Sequence, residues 1–452
     1  MAPPGSSASA ASSAAGRAPV RTRPRVGLLY THESPVSREG EFLAKYVGLT
    51  LASTGTTSKI AVVGVDTSKR KQPASLEPVA ATSVLRADGK VVNRSQVVAY
   101  DETTDVTELR DCHVWVLCLD TATTTSALQF VQKRCGISHR IGSGEKEVEK
   151  TTPKKRIIVC LQPALRQLRE LETAFPKDTV LHGGACFHLT LNKHDVLYPL
   201  SHGCFYIERL SAEKTHALYV LDLLEATGFQ VLSRKNIQAH KWGHSMIRLF
   251  YYINALNGNQ TVHDGLRDRA MRLVYLQLLY EMNSLFRVVA LDLDDPSKSA
   301  RERAAQQSWT PDISSCTYLS LHVLMVVLPL PNWLFNGVVS RLIDVGLTAS
   351  TSGWSTIQRD VEAKRETEFY SEFKDLFDLA ARRNIKLEGL EVLRNTLVSV
   401  TKPDAEHFAI SGRGLLAEIP SSAASRAVSR TFLLKCIVTL VATVLLVLYF
   451  ML

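Results

Sequence analysis

Six short apolar runs alternate with helix-like stretches in the first half of the chain, and this alternation limits the fold more than any other feature. The runs are Val26–Tyr30, Lys59–Asp66, Val97–Tyr100, Val114–Leu119, Ile157–Leu161 and Val180–Leu191. Between them, stretches such as 42–52 and 124–133 place apolar residues at helical spacing. Continuous apolar runs are typical of strands that are buried on both faces of a parallel sheet. We therefore predict a doubly wound α/β domain, with helices on both faces of the sheet.

The period of the apolar pattern changes near Ala212, and the second half of the chain is predicted to be helical. The helical stretches are Lys214–Thr227, Asn236–Leu256, Leu266–Asp292, Tyr318–Leu328, Trp333–Val345, Ser355–Asn384 and Leu387–Val400. We therefore predict an α/β domain over residues 25–211 and an all-α domain over residues 212–402. The stretch Tyr318–Leu328 is very apolar but short, so we interpret it as a core helix rather than a membrane span.

The last seventeen residues, Cys436–Leu452, carry no charge and are apolar on every helical face. As a helix they would span about 26 Å, which is close to the roughly 30 Å of a hydrocarbon core. Residues 432–434 extend the span if Lys435 reaches the interface. We predict a C-terminal transmembrane helix over residues 432–452, joined to the body by a linker over residues 403–431. The alternative is a buried core helix, but such helices usually keep one polar face.

Positive charge flanks the predicted span on its N-terminal side only, at Arg426, Arg430 and Lys435. This arrangement favours a tail-anchored protein whose body faces the cytosol. We expect the mitochondrial outer membrane as its location, with the endoplasmic reticulum second. Residues 1–24 are rich in Ala, Ser and Pro, and we interpret them as a disordered leader. Their arginines leave a mitochondrial transit peptide as the alternative.

The composition argues against a nucleic-acid partner and indicates that the cysteine thiols are reduced. The net charge is +9, but the basic runs lack interleaved aromatic residues, so we predict no nucleic-acid partner. The eight cysteines form no C-x-x-C pair, and several lie in apolar runs. We interpret them as reduced, buried thiols. The charged stretch 136–155 is interpreted as an inserted loop. Its role is left open, as is the oligomeric state, with a homodimer among the alternatives.

The most specific motif lies near the end of the helical half. Residues 355–368 read S-T-I-Q-R-D-V-E-A-K-R-E-T-E, which resembles the S-S-M-L-Q-D-x-x-x-x-R-x-T-E segment of the ketopantoate reductase family. Residues 236–244 are similar to that family's N-I-x-x-x-x-W-x-K motif, and residues 160–164 stand where the family has L-Q-N-G. The resemblance implies a Rossmann-like domain followed by a helical domain. It also implies NADPH-dependent reduction of the 2-oxo acid 2-dehydropantoate to pantoate.

The resemblance assigns roles to four residues, although three of them differ from the family's residue types. The family's catalytic lysine falls on His244, and the asparagine one helical turn later falls on Arg248. His244 is therefore expected to donate a proton to the developing alkoxide, and Arg248 to bind the substrate carboxylate. Glu368 stands where the family places an active-site carboxylate. Thr356 replaces the family's serine and keeps a hydroxyl for the substrate.

The expected cofactor site is altered as well. The family's G-x-G-x-x-G loop is replaced by a longer loop, in which Arg38 and the following helix N-terminus would hold a phosphate. Glu33 and Glu39 would repel phosphate unless they turn away. Lys69 and Arg70 follow the second strand, and a basic cluster there suits the 2′-phosphate of NADPH.

We expect no metal site, and we consider two hypotheses about the function of the chain. His240 and His244 are spaced i, i+4, but they have no H-E-x-x-H motif and no nearby third ligand, so we predict no metal. The first hypothesis is a tail-anchored NADPH-dependent reductase. The second is a catalytically inactive reductase-fold protein that acts as a membrane-tethered scaffold or ligand sensor. The altered residues favour the second, because each lost catalytic group typically costs about 10²–10⁴ in rate.

Overall fold

The computed structural model describes residues 23–32, 34, 37–66, 81–135, 155–162, 164, 167–200, 203–258, 260–293, 310–317, 319–336, 355–405 and 409–420. Several sequence predictions lie outside these residues, namely the membrane span 432–452, nearly all of the leader, most of the insertion 136–155, and Glu33, Lys69 and Arg70. Among the described helices, none combines the length and the apolar character that crossing a membrane requires.

Twelve strands are described, in two sheets. They are β1 (Arg25–Thr31), β2 (Lys59–Val65), β3 (Ser83–Leu85), β4 (Val91–Asn93), β5 (Tyr100–Thr103), β6 (Val114–Cys118), β7 (Ile157–Cys160), β8 (Thr179–Ala185), β9 (Leu189–Leu191), β10 (Val196–Pro199), β11 (Cys204–Glu208) and β12 (Gln230–Arg234). The main sheet has the order β12-β11-β8-β7-β6-β1-β2-β5. Its strands are parallel except where β11 pairs with β8. A smaller sheet has the order β4-β3-β10-β9.

Thirteen α-helices are described. They are α1 (Glu39–Thr54), α2 (Thr124–Cys135), α3 (Gln167–Ala174), α4 (Tyr219–Glu225), α5 (Ile237–Ala255), α6 (Val262–Arg267), α7 (Arg269–Leu293), α8 (Leu321–Val327), α9 (Asn332–Leu334), α10 (Thr356–Glu362), α11 (Phe369–Arg382), α12 (Glu388–Val400) and α13 (Gly412–Glu418). Short 3₁₀ turns lie at Arg94–Gln96, Val106–Asp111 and Ala212–Ala217.

The predicted doubly wound architecture agrees with the main sheet. Its six consecutive parallel strands β5-β2-β1-β6-β7-β8 have the order 3-2-1-4-5-6 that is common in dinucleotide-binding folds. Separate apolar clusters cover the two faces, one around Leu28 and Val62 and the other around Leu29 and Trp115. The winding direction reverses between β1 and β6, so the carboxyl ends of these two strands open a crevice there.

Several predicted boundaries differ from the structure. The predicted strand at 180–191 is two strands, β8 and β9, and the strand predicted at 97–100 lies instead at Tyr100–Thr103. Beyond the domain boundary predicted at residue 212, β12 at Gln230–Arg234 still pairs with β11 in the main sheet. Strands of three to five residues near the surface carry too little apolar pattern to be separated from loops.

The helical half packs around one apolar core, with α5 at its centre. Asn236 caps α5 by accepting a hydrogen bond from the Ala239 amide, and the helix is buried over nearly its whole length. The single helix predicted over 355–384 is interrupted. Helix α10 ends at Glu362, Lys364 takes a positive φ of 58°, and α11 begins at Phe369. This break sets Glu368 at the start of a helix instead of within one.

Candidate functional site

A crevice lies at the reversal point of the sheet, between the two domains. It encloses a cavity of about 50 Å³. The sheet domain contributes Glu39 and Gly40 from the start of α1, Asp120 from the loop after β6, and Gln162 after β7. The helical domain contributes His244, Arg248 and Glu368. Three of the four residues that the resemblance assigned to catalysis and substrate binding therefore line one cavity.

Arg248 is fully engaged by two carboxylates from different parts of the chain. Its Nη1 donates to Glu39 Oε1 at 2.6 Å, and its Nε lies 3.0 Å from both carboxylate oxygens of Glu372. Tyr252 donates its hydroxyl to Glu372 at 2.8 Å. Burial lowers the pKa of Arg248, but the two glutamates outweigh it and raise the pKa well above its usual value. Arg248 is therefore a permanent cation whose charge is already balanced.

Glu39 joins the two domains through this ion pair. It begins α1 in the sheet domain, whereas Arg248 and Glu372 lie on α5 and α11 of the helical domain. Burial raises the pKa of Glu39, but Arg248 and His188 outweigh this effect, so the pKa lies below its ordinary value. Glu39 is thus a carboxylate at the helix N-terminus where a phosphate was expected to bind.

Glu368 and Asp120 form a second acidic pair in the crevice. Glu368 accepts a hydrogen bond from the Thr121 amide at 3.0 Å. Burial and the neighbouring Asp120 raise the pKa of Glu368 well above its usual range. Burial raises the pKa of Asp120 to about 7, although hydrogen bonds from Ser34 and Thr31 oppose the rise. The pair therefore holds at least one proton near neutral pH.

His244 lines the crevice, but its surroundings favour the neutral imidazole over the protonated form that would donate a proton. Burial, together with Arg248, His188 and Lys241, lowers the pKa of His244 well below its usual value. The imidazole is therefore neutral near pH 7, and it is not the cationic acid that the sequence interpretation described. Its Nδ1 lies 3.2 Å from the hydroxyl oxygen of Tyr206.

Two further predicted site residues, Thr356 and Arg38, are described by the structure but do not line the cavity. Thr356 is buried, and its hydroxyl has no hydrogen-bond partner among the described residues. Arg38 immediately precedes α1 and is half-buried, and its backbone amide helps to stabilise the carboxylate of Asp360. Asp360 also accepts hydrogen bonds from Ser37 at 3.0 Å and from Arg365 at 2.8 Å.

Lys241 is a buried cation that the sequence interpretation did not assign to the site. It is completely buried, and its Nζ donates to the backbone carbonyl of Gln162, which lies two residues after the end of β7. Burial lowers the pKa of Lys241. The sequence contained a partial signal, because Lys241 lies one turn before His244 on the same helix. The carboxylate of Glu372 had no signal, because its partners Arg248 and Tyr252 are more than 100 residues away in sequence.

The prediction of no metal site was based on the spacing of His240 and His244, and the structure places these two histidines in different surroundings. His240 contacts other residues, with its Nδ1 3.0 Å from the Ser315 hydroxyl and its Nε2 3.4 Å from Asp312. However, His244 lies beside Cys186 and Cys316, and the ligand atoms of all three are within 4.8 Å of one another. These cysteines are 58 residues before and 72 residues after His244 in the sequence, so local spacing could not reveal the cluster.

Among the described residues, the crevice at the start of α1 is a poor fit to the dinucleotide that the resemblance implies. A dinucleotide phosphate at the start of α1 would meet the carboxylates of Glu39 and Asp120, and the cation nearby, Arg248, is already paired. The first turn of α1 also packs directly on β6, since a Cβ at Gly40 would overlap the carbonyl oxygen of Cys118. The cavity of about 50 Å³ is several-fold smaller than ligand pockets of roughly 300–1,000 Å³.

Comparisons with known proteins show the fold. No protein-family model matches the chain, and no curated protein matches it in sequence. Among solved structures, D-mandelate dehydrogenase with NADH and anilino(oxo)acetate is similar, with 11% identity and a TM-score of 0.52 over 83% of this chain and 98% of that chain. A ketopantoate reductase from Ralstonia eutropha JMP134 has 11% identity and a TM-score of 0.51 over 83% of this chain and 98% of its own. A putative ketopantoate reductase from Ralstonia solanacearum MolK2 has 12% identity and a TM-score of 0.50 over 83% of this chain and 97% of its own. The chain therefore has the two-domain fold of these reductases.

Proposed function

We propose that this chain is a membrane-tethered protein that uses the reductase fold as a binding scaffold and does not reduce a substrate with a nicotinamide cofactor. One observation carries the proposal: the Glu39–Arg248–Glu372 ion pairs cross the crevice where a dinucleotide and a 2-oxo acid would have to enter. Arg248, the residue expected to bind the substrate carboxylate, instead binds two carboxylates of the protein. The ion pairs hold the two domains together across the crevice.

A second function, reduction of a 2-oxo acid with NADPH, is favoured by one specific feature. The carboxyl pair Glu368–Asp120 keeps a proton near neutral pH, and it lies beside His244 and Arg248 in the crevice. Such a pair could protonate an alkoxide if the ion pairs opened to admit substrate and cofactor. This function therefore requires a second, open conformation of the crevice.

Turnover distinguishes these two functions. The full-length chain in detergent micelles would be mixed with NADPH or NADH and with 2-dehydropantoate or other 2-oxo acids, and absorbance of the reduced cofactor would be followed. We expect oxidation at the background rate, unchanged by His244→Ala or Glu368→Gln. Oxidation well above background that Glu368→Gln reduces about 10²-fold or more would support the reductase instead.

The membrane tether is a separate part of the proposal and rests on residues 403–452 of the sequence. A fluorescent protein fused to the N-terminus of residues 403–452 is expected to colocalise with mitochondria and to resist extraction from membranes at high pH. A matched fusion in which Val441, Leu445 and Leu448 are replaced by aspartate should remain diffuse, because each charge at the span centre costs about 2.5–3.5 kcal/mol. A diffuse wild-type fusion would contradict the tether.

A further inference from the structure

Three cysteines and one histidine converge beside the crevice, in a part of the molecule that the proposed function does not use. The Sγ atoms of Cys186 and Cys316 are 2.7 Å apart, and His244 completes a group whose ligand atoms all lie within 4.8 Å of one another. All three residues are buried. A buried cluster of soft donor atoms is the arrangement that binds a thiophilic metal ion.

Cys204 is the fourth member of the cluster. The antiparallel pairing of Ala185 with Phe205 continues by one residue, because the Cys186 amide donates to the Cys204 carbonyl at 2.9 Å. Residues that face each other across an antiparallel pair have their side chains on the same face. The two side chains therefore extend from the same face, and the Cys204 Sγ donates to the carbonyl of Ser315, the residue before Cys316, at 3.0 Å.

The backbone holds these donors in place from both domains. Cys186 follows β8 and Cys204 begins β11 in the sheet domain, whereas His244 lies on α5. The segment that carries Cys316 packs tightly on α5, because a Cβ at Gly243 would overlap the carbonyl of Asp312. The Asp312 amide also donates to the Ala239 carbonyl at 2.9 Å. A group that bound all four donors would therefore connect the two domains.

The donor atoms of Cys186, Cys204, Cys316 and His244 favour zinc over other metal ions. Three thiolates and one imidazole are a common tetrahedral ligand set of structural Zn²⁺ sites. With Zn–S bonds of about 2.3 Å, tetrahedral geometry separates the sulfur atoms by roughly 3.8 Å, which is within the 4.8 Å extent of the cluster. The Cys186 and Cys316 sulfur atoms would move apart by about 1 Å on binding. Tyr206, whose hydroxyl oxygen is 3.2 Å from His244 Nδ1, would be the outer-shell partner that orients the imidazole.

A disulfide between Cys186 and Cys316 is the competing arrangement of the same atoms. Their separation of 2.7 Å exceeds the roughly 2.05 Å of a disulfide bond. A disulfide would also leave Cys204 and His244 without a role, and its formation would need an oxidant that the structure does not supply. Zinc uses all four donors and needs no change of oxidation state.

We propose that Cys186, Cys204, Cys316 and His244 bind one structural Zn²⁺ ion that joins the two domains. Binding replaces the thiol protons, which are released to solvent as the thiolates coordinate the metal. The site is closed, because four protein ligands complete the tetrahedron and leave no position for substrate. His244 would then act as a ligand and not as a proton donor. The zinc site does not depend on the proposed function, because metal content is measured without any cofactor or substrate.

Metal analysis of the full-length protein tests this proposal. The chain would be produced in zinc-supplemented cells without a polyhistidine tag, and purified in detergent without chelators. We expect elemental mass spectrometry to find about one zinc ion per chain. The Cys316→Ser variant should lose nearly all of the bound zinc. Tyr206→Phe should keep the fold and weaken zinc affinity by about tenfold. Cys112→Ala, which removes a buried thiol outside the cluster, should bind zinc as the wild type does.

A second measurement keeps the test decisive if Cys316→Ser does not fold. Wild-type protein stripped with a chelator would be titrated with Co²⁺, and the thiolate-to-cobalt charge-transfer absorption recorded. We expect one equivalent to saturate the absorption and Zn²⁺ to displace it. Wild-type protein that contains no zinc and binds no Co²⁺ would overturn the proposal. A Cys186–Cys316 disulfide found by alkylation and peptide mass analysis of freshly purified protein would overturn it as well.

Discussion

Arg248→Met is expected to lower the free energy of unfolding by about 3–5 kcal/mol. The substitution keeps a side chain of similar length but leaves Glu39 and Glu372 without the cation that they share. Glu372 is completely buried, so its charge has no access to water and must be protonated or exposed at a cost. Urea denaturation of the full-length protein, followed by the fluorescence of its tryptophans, measures the change.

Two controls make the Arg248 result specific. Arg382→Met removes an exposed arginine from α11 and should change stability by less than about 0.5 kcal/mol. The triple variant Arg248→Met, Glu39→Gln, Glu372→Gln should recover most of the loss, because no buried charge remains unpaired. A loss below about 1 kcal/mol in Arg248→Met would mean that the ion pairs do not hold the crevice closed.

Gly40→Ala is expected to be destabilising by about 3 kcal/mol, although alanine normally favours a helix. The added Cβ would overlap the carbonyl oxygen of Cys118, which belongs to the backbone of β6 and cannot rotate away. Helix α1 would have to move away from the sheet, and Glu39 would move with it. The same denaturation assay reports the loss.

Gly414→Ala is the matched control for Gly40→Ala. Gly414 also lies in the first turn of a helix, α13, but a Cβ there comes no closer than 3.4 Å to its neighbours. The substitution should therefore stabilise the protein slightly, by up to about 1 kcal/mol. Equal effects of the two substitutions would show that the close approach of α1 to β6 does not control stability.

The fold could be predicted well where burial dominates the sequence pattern. Strands β6 and β7, and the middle of β1, are continuously apolar because both faces of the sheet are covered, so these strands and the doubly wound architecture could be predicted. The small sheet was missed because its strands are three or four residues long. The interruption between α10 and α11 was missed because Lys364 adopts a left-handed conformation that its residue type does not indicate.

The site was predictable only in part, because its chemistry depends on contacts between distant segments. The resemblance placed His244, Arg248 and Glu368 near one another, and they do line one cavity. It could not show that Arg248 pairs with Glu39, which is 209 residues away, or that burial keeps His244 neutral. The resemblance compares residue types one position at a time. The protonation state of each side chain also depends on its burial and on the charges that the fold places around it.

Nicotinamide nucleotide binding tests the central claim most directly. The full-length protein in detergent would be titrated with NADPH and with NADH by calorimetry, and its melting temperature recorded with each nucleotide at about 1 mM. We expect no binding heat and no rise in melting temperature, because Glu39, the Glu368–Asp120 pair and the closed crevice oppose a dinucleotide. Saturable binding with a dissociation constant below about 0.1 mM would raise stability by more than about 1.4 kcal/mol at that concentration. That result would contradict the account and would restore the reductase.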